Sequence, residues 1–419
     1  MDFDMLGLPP KMISRLAELG ISEPTPIQKQ AIPHAMNGRD VMGLAQTGTG
    51  KTAAFGLPLI NALSAEGTKP DPKTVRGLIL APTRELANQI ADSLRGFAGG
   101  THLSIAVVVG GVSINRQIGR LERGADLLVA TPGRLIDLLD RKAVRLDQTR
   151  FLVLDEADQM LDMGFIHALR KIAPLLAADR QTMLFSATMP KLMSEIADSY
   201  LSNPIRVEVA RPGQAADKVE QEVHFVSKDG KPDLLRECLD RHPEDRALVF
   251  GRTKHGCERL MKQLDRDGYK AASIHGNKSQ NQRDRAIQGF KEGTVKVLVA
   301  TDVAARGIDI PGVEYVYNFE LPNVPENYVH RIGRTARAGR DGQAVAFCAP
   351  DEMSYLRDIE KVLKGRVRVA SGAPWAEDTP PPKQGGRGRK PGGGGGKPGG
   401  GAAKSGRRRS KSGGRRRAA

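Results

Sequence analysis

Short apolar runs recur along the chain and stop on polar residues. In the first half they are GLILAPT (77–83), DLLVATPG (126–133), FLVLDEAD (151–158) and TMLFSAT (182–188). Later come ALVFGRT (247–253), VKVLVATD (295–302) and YVYNF (315–319). Their Val, Ile and Leu positions do not alternate with polar ones, which predicts strands buried on both faces. Between them, RELANQIADSLRGF (84–97) and ERLMKQLDRDG (258–268) carry helical spacing. Strands alternating with helices predict βαβ units and parallel sheets. Such sheets bind ligands at the carboxyl ends of their strands, where the Thr, Asp, Ser and Gly signatures stand here.

The alternation breaks twice. Around 208–219 the chain turns Pro-, Gly- and Ala-rich (RPGQAADK, 211–218), which predicts a linker at 209–218 between α/β domains at 31–208 and 219–366. After residue 366 the pattern ends, and Gly, Pro, Lys, Arg and Ser soon dominate. A segment so poor in apolar residues cannot offset its chain entropy, so 367–419 is expected to be disordered.

Charge sharpens this picture. Of 64 Lys and Arg residues, 13 lie at 383–419, where none of the 48 Asp and Glu residues lies. The formal charge of +16 is therefore mostly a property of the tail, which points to a polyanionic partner. A solubility role for the tail is the alternative. Cys238, Cys257 and Cys348 form no CxxC pair, which argues against a disulfide scaffold or a cysteine zinc site and fits a reducing cytoplasm. The opening MDFDMLGLPP lacks the pattern of a signal peptide, and no apolar run reaches membrane-spanning length.

Two motifs carry phosphate chemistry. In AQTGTGKT (45–52), Gly48 and Gly50 allow backbone N–H groups to turn around phosphate oxygens, Lys51 reaches the β- and γ-phosphates, and Thr52 offers a hydroxyl to Mg²⁺. The first position is Ala45 where the general phosphate-loop pattern has Gly. In DEAD (155–158), Asp155 ends an apolar strand and suits a water-mediated Mg²⁺ contact; Glu156 can orient an attacking water. An acidic cap on the next helix is the plainer reading of that tetrapeptide. Together the motifs predict nucleoside triphosphate hydrolysis. HRIGRTARAGR (330–340) is strongly basic, with Arg334 and Arg337 three apart and so expected on one helix face. Alone it reads as a solvated face. With a phosphate loop elsewhere, it reads as a source of arginines for the γ-phosphate.

These motifs and their order resemble the DEAD-box RNA helicases, over about residues 3–365, with IHGNKSQ (274–280) similar to the bacterial RhlE-like branch. The resemblance implies two tandem RecA-like domains, ATP and Mg²⁺ as cofactors, and RNA as partner. GISEPTPIQ (20–28) resembles the family's Q motif, in a region taken as 1–30; by that resemblance Gln28 reads adenine and Phe3 stacks near it. Ala45, Gln46, Thr47, Gly48, Thr49, Gly50, Lys51 and Thr52 form the nucleotide loop, and Arg306 and Asp309 approach the ribose. Catalysis falls to Lys51, Thr52, Asp155, Glu156, Arg334 and Arg337. PTREL (82–86), Gly110-Gly111 and TPGR (131–134) resemble RNA-contacting elements. The implied RNA contacts are Arg84, Gly111, Thr131, Arg134, Arg252 and Thr301. Asp158, Ser186, Thr188 and His330 are implied in coupling hydrolysis to strand separation. Ala336 stands where many members have Gly. The implied activity is local, sequence-nonspecific RNA unwinding, in ribosome assembly or RNA turnover, with proteins of those processes as further partners. An ATP-gated RNA clamp or annealing factor, and a DNA helicase, are the alternatives.

Overall fold

The computed structural model describes residues 2–45, 48–209, 219–305, 312–335 and 342–375. They belong to one compact unit, Met1–Glu377; a second unit, Asp378–Ala419, lies outside the described residues.

Two parallel sheets, each of seven strands among the described residues, form the core. The first contains β1 (Val41–Leu44), β2 (Val75–Leu80), β3 (Ile105–Val108), β4 (Ala125–Ala130), β5 (Phe151–Leu154), β6 (Gln181–Ser186) and β7 (Ile205–Glu208). The second contains β8 (Val219–Phe225), β9 (Ala247–Gly251), β10 (Ala271–Ile274), β11 (Val297–Thr301), β12 (Tyr315–Asn318), β13 (Gly342–Cys348) and β14 (Arg368–Ser371). Their orders are β3-β4-β2-β5-β6-β1-β7 and β10-β11-β9-β12-β13-β8-β14, so the second repeats the first strand for strand.

The unalternated apolar runs are explained by helices on both faces. In β2, Ile79 joins one apolar cluster while Leu78 and Leu80 join another across the sheet. In β9, Val249 and Leu248 divide in the same way. Every β2 residue is buried, as the both-faces pattern requires. The opening segment is not a separate module. Phe3, Leu6, Leu8, Met12, Leu16 and Ile27 belong to the same cluster as β1 and the helix Lys51–Ala65.

Two expectations need correction. The disordered segment does not begin at 367. Val367 is buried, Arg368–Ser371 adds an edge strand beside β8, and Trp375 donates its indole N–H to the Cys348 carbonyl at 3.0 Å. A free sheet edge accepts a short polar strand because its backbone, not its side chains, makes the contact. Nor do Arg334 and Arg337 share a helix. Helix Pro325–Ile332 is capped by Gly333, so Arg334 sits in the turn beyond it, and Arg337 lies outside the described residues. Most of the linker, 210–218, also lies outside them; Val209 still donates to the Leu44 carbonyl at 3.1 Å.

Candidate active site and nucleic-acid interface

At the carboxyl end of β1 the chain turns into the helix Lys51–Ala65 through Gly48 (φ 85°) and Gly50 (φ 88°). Both lie in the left-handed region that favours glycine. At Gly50 close approach adds to this: a Cβ there would stand 2.5 Å from Gln28 Nε2. That amide donates to the Gly50 carbonyl at 3.0 Å, and Gln28 Oε1 accepts from Thr25 N–H at 3.0 Å. Gln28 therefore ties the opening segment to the phosphate loop. An amide has one more hydrogen and one more lone pair with which to read a base edge. Phe3 is only 3% exposed and packs in the core cluster of the first domain.

Lys51 opens the helix and is buried; its ammonium lies 3.4 Å from Asp155 Oδ1 and, among the described residues, makes no hydrogen bond. Burial alone would lower its pKa, but Asp155, Glu156 and Asp158 outweigh that and raise it, so the lysine is charged. Unsatisfied buried ammonium, at a helix N-terminus beside two positive-φ glycines, is an anion cradle. Asp155 follows β5 and accepts from the Glu156 N–H at 3.0 Å. Glu156 adopts φ 51°, ψ 50°, an uncommon conformation for a residue with a Cβ. The Asp155 carboxylate and the Thr52 hydroxyl are hard oxygen donors of the kind Mg²⁺ takes. Among the described residues no group of three or more His, Cys, Asp and Glu could hold a metal alone. A Mg²⁺ ion completed by substrate phosphates and water needs no such group.

Asp158 faces the loop after β6. Its Oδ2 accepts from Ala187 N–H (3.2 Å), Thr188 N–H (2.9 Å) and the Thr188 hydroxyl (2.9 Å), and the Ser186 hydroxyl donates to the Thr188 carbonyl at 2.7 Å. The DEAD and SAT segments are thus one hydrogen-bonded unit.

A groove of about 600 Å³ runs between the two sheets' domains. Arg84, Gly111, Thr131 and Arg134 line it from the first, and Gly276, Arg283 and Val303 from the second. Arg84 donates to the Gly110 carbonyl at 2.9 Å, and a Cβ on Gly111 would stand 1.7 Å from its guanidinium. Glycine there is a requirement of the arginine's position. Arg134 donates to the Val112 carbonyl at 3.0 Å. Four of the six expected RNA contacts therefore meet in one groove.

The other two stand apart. Thr301 ends β11. Arg252, after β9, lies 3.7 Å from Glu320 and 3.6 Å from Glu352, over the Tyr355 ring. His330, Arg334, Asp302 and Arg331 surround a small cleft in the second domain. Gln46, Thr47, Arg306, Asp309, Arg337 and Ala336 lie outside the described residues.

The expected site set left out several residues that the fold brings into play. Glu85 pairs with Arg283 across the groove at 3.1 Å and accepts from Gln280 at 3.2 Å. Arg331 is fully buried, holding both oxygens of Asp302 (2.6 and 2.8 Å) and stacking over Phe250. Gln280 and Arg283 stand three apart in QNQR (280–283), but nothing in the sequence names Glu85 as their partner.

Comparison with known proteins accords with this geometry. The model for DEAD/DEAH box helicases matches residues 25–196, and that for the helicase conserved C-terminal domain matches 230–339. The ATP-dependent RNA helicase CshA of Listeria monocytogenes is 44% identical over 375 residues, 90% of this chain and 71% of that protein. This chain belongs to the DEAD-box helicase family. Among solved structures, S. cerevisiae Dbp5 bound to RNA and ADP BeF3 has a TM-score of 0.77 at 31% identity, covering 88% of this chain and 95% of that one. Mss116p bound to ssRNA and AMP-PNP has a TM-score of 0.79 at 27% identity, covering 89% of this chain and 79% of that one. No helix among the described residues is long and apolar enough to cross a membrane.

Proposed function

We propose that this DEAD-box protein uses ATP hydrolysis to separate short RNA duplexes locally, with little sequence preference. The enzyme class is that of its family, an RNA-stimulated ATP hydrolase. The observation that carries the reading is the unsatisfied, charged Lys51 beside Asp155, in a fold whose second cleft is an arginine-lined groove spanning both domains. The relatives named for RNA and bound to it support the choice of RNA.

In this reading Lys51 holds the terminal phosphates and Glu156 orients the attacking water. Thr52 and Asp155 hold Mg²⁺, which when bound neutralises charge on the phosphate oxygens. Arg334 and Arg337 add cations from the second domain. Gln28 and Phe3 serve the adenine, and Arg306 and Asp309 the ribose. Arg84, Gly111, Thr131, Arg134, Arg252 and Thr301 grip the RNA backbone. ATP and RNA each need both domains, so each tightens the other by reciprocal coupling. Asp158, Ser186, Thr188 and His330 transmit hydrolysis to the grip. The 13 basic residues of 383–419 add a salt-sensitive tether. Membership of the RhlE-like branch rests on IHGNKSQ, and with it roles in ribosome assembly or RNA turnover.

The test is ATP hydrolysis with and without RNA, and with DNA, for the full chain and for Lys51→Ala. RNA stimulation that the variant abolishes is expected. Equal hydrolysis with and without RNA would sink the coupling, and equal stimulation by DNA would sink the choice of RNA.

A further inference from the structure

Because the two sheets share one strand order, their corners correspond. β1 leads to Lys51 at the start of a helix; β8 leads to Lys231 at the start of the helix Lys231–Asp240. Lys51 faces Asp155 beyond β5. Lys231 donates to the Phe319 carbonyl beyond β12 (2.8 Å) and to the Phe347 carbonyl (2.9 Å), and pairs with Glu352 beyond β13. Glu352 also accepts from Leu321 N–H (3.2 Å) and Ala349 N–H (3.0 Å). In the second domain the internal carboxylate is thus hydrogen-bonded to its lysine, where in the first Asp155 stands 3.4 Å from Lys51 without such a bond. With all three Lys231 donors engaged, this corner cannot hold a triphosphate.

The corner is nevertheless open. A cavity of about 410 Å³ lies there, within the range of small-molecule sites. Its apolar wall is Pro232, Leu260 and the half-buried Phe319. Its rim carries the exposed Arg259 cation, with Gln263 and Asp229 as polar groups beside it. An apolar wall that includes the Phe319 ring, polar groups at its margin and, beside the Lys228–Asp351 ion pair, the exposed Arg259 cation at the mouth match a nucleoside monophosphate. The cavity also touches the expected RNA path. Glu320 and Glu352, both in its lining, are the carboxylates that hold Arg252; Glu320 accepts the Arg252 backbone N–H at 2.7 Å as well.

We propose that this cavity receives one unstacked nucleotide of the bound RNA, base against Phe319 and phosphate toward Arg259, where the strand passes Arg252. This rests on the RNA reading above. It identifies a base-holding pocket in a chain otherwise poor in aromatic residues along its RNA motifs.

The test uses the full chain with a non-hydrolysable ATP analogue and a set of ten-nucleotide RNAs. Each carries 2-aminopurine at one position. The expected result is one position whose fluorescence differs from all its neighbours. Arg259→Ala, a surface change, and Gln263→Trp, which covers the mouth, are each expected to erase that signal and to weaken RNA binding by about tenfold, a single nucleotide's share. RNA that binds normally with no distinct position, or a distinct position indifferent to both variants, overturns the pocket while leaving the RNA reading intact. A signal that millimolar AMP displaces while the strand stays bound at full affinity overturns the strand as the source and assigns the cavity to free nucleotide. If the unaltered chain binds no RNA, both readings fall.

Discussion

Arg283 Nη2 lies 3.1 Å from Glu85 Oε1, and the pair joins the two domains through buried side chains. Glu85 sits in the first turn of the helix Arg84–Phe97, next to the groove arginine Arg84. Arg283 also donates to the Ala304 carbonyl at 3.2 Å, beside Val303 of the groove. The bridge therefore links the groove-lining ends of both sheets. Glu85→Ala and Arg283→Ala should each lower RNA-stimulated kcat/KM by roughly 5- to 150-fold, the usual span of a coupling energy. The double variant should cost little more than either single one. Strictly additive losses in a double-mutant cycle would refute direct coupling.

Asp158 holds three groups of the 187–188 segment on one oxygen. Thr188→Val removes one of them, a loss of about 1 kcal/mol. Asp158→Ala removes all three and, with the Gln159 N–H that its other oxygen accepts, strands three backbone N–H groups. Strand separation should therefore fall further in Asp158→Ala than in Thr188→Val, and further than ATP hydrolysis in either. Parallel losses of hydrolysis and unwinding, measured side by side, would show that the contact serves the nucleotide site alone.

Glu258 accepts from Ser273 (2.8 Å), His275 (3.0 Å) and Lys278 (2.8 Å), under the loop that leads to Gln280 and Arg283. Burial raises its carboxyl pKa, but hydrogen bonds from Lys278, His275 and Ser273 outweigh that and hold it at about 2. A carboxyl lowered in the folded state stabilises above its unfolded value of about 4.3 and loses that contribution as pH falls toward the folded value. The stability gap between the chain and Glu258→Gln, from urea midpoints, should be constant above pH 5 and close from there toward pH 2. A gap that stays constant through that window would exclude an ionic role.

Lys231 and Glu352 form a buried pair, 2% and 0% exposed. Burial lowers the lysine pKa, with Glu352 pulling the other way. Lys231→Met alone should destabilise by about 3–5 kcal/mol, because it takes from a buried carboxylate its closest cation and leaves only Arg252 at 3.6 Å. Adding Glu352→Leu should restore much of that loss. A double variant no more stable than Lys231→Met, by urea denaturation, would mean the carboxylate's backbone contacts dominate.

Legibility followed burial. β2, β4, β5, β6, β9, β11 and β12 were readable because both faces are covered, so their apolar runs are unbroken. The edge strands β7, β10 and β14 are short and partly exposed, and left no such run; β3 (IAVV) is apolar throughout but only four residues long. β8 reads as polar (VEQEVHF), since three of its seven residues, Glu220, Gln221 and Glu222, lie at intermediate or greater exposure. The Gly333 cap stopped the helix that the Arg334–Arg337 spacing suggested.

The sequence by itself determined the chemistry of the phosphate loop. Gly48, Gly50, Lys51 and Thr52 act through consecutive backbone and side-chain positions, so their spacing already is their geometry. It also determined the alternating fold, because periodic burial is written residue by residue. Only the tertiary structure decided that Glu85 meets Arg283, that Gln28 holds Gly50, and that Glu352 neutralises Lys231. Those partners stand 198, 22 and 121 positions apart, and only the packing of separate elements brings them within hydrogen-bond reach.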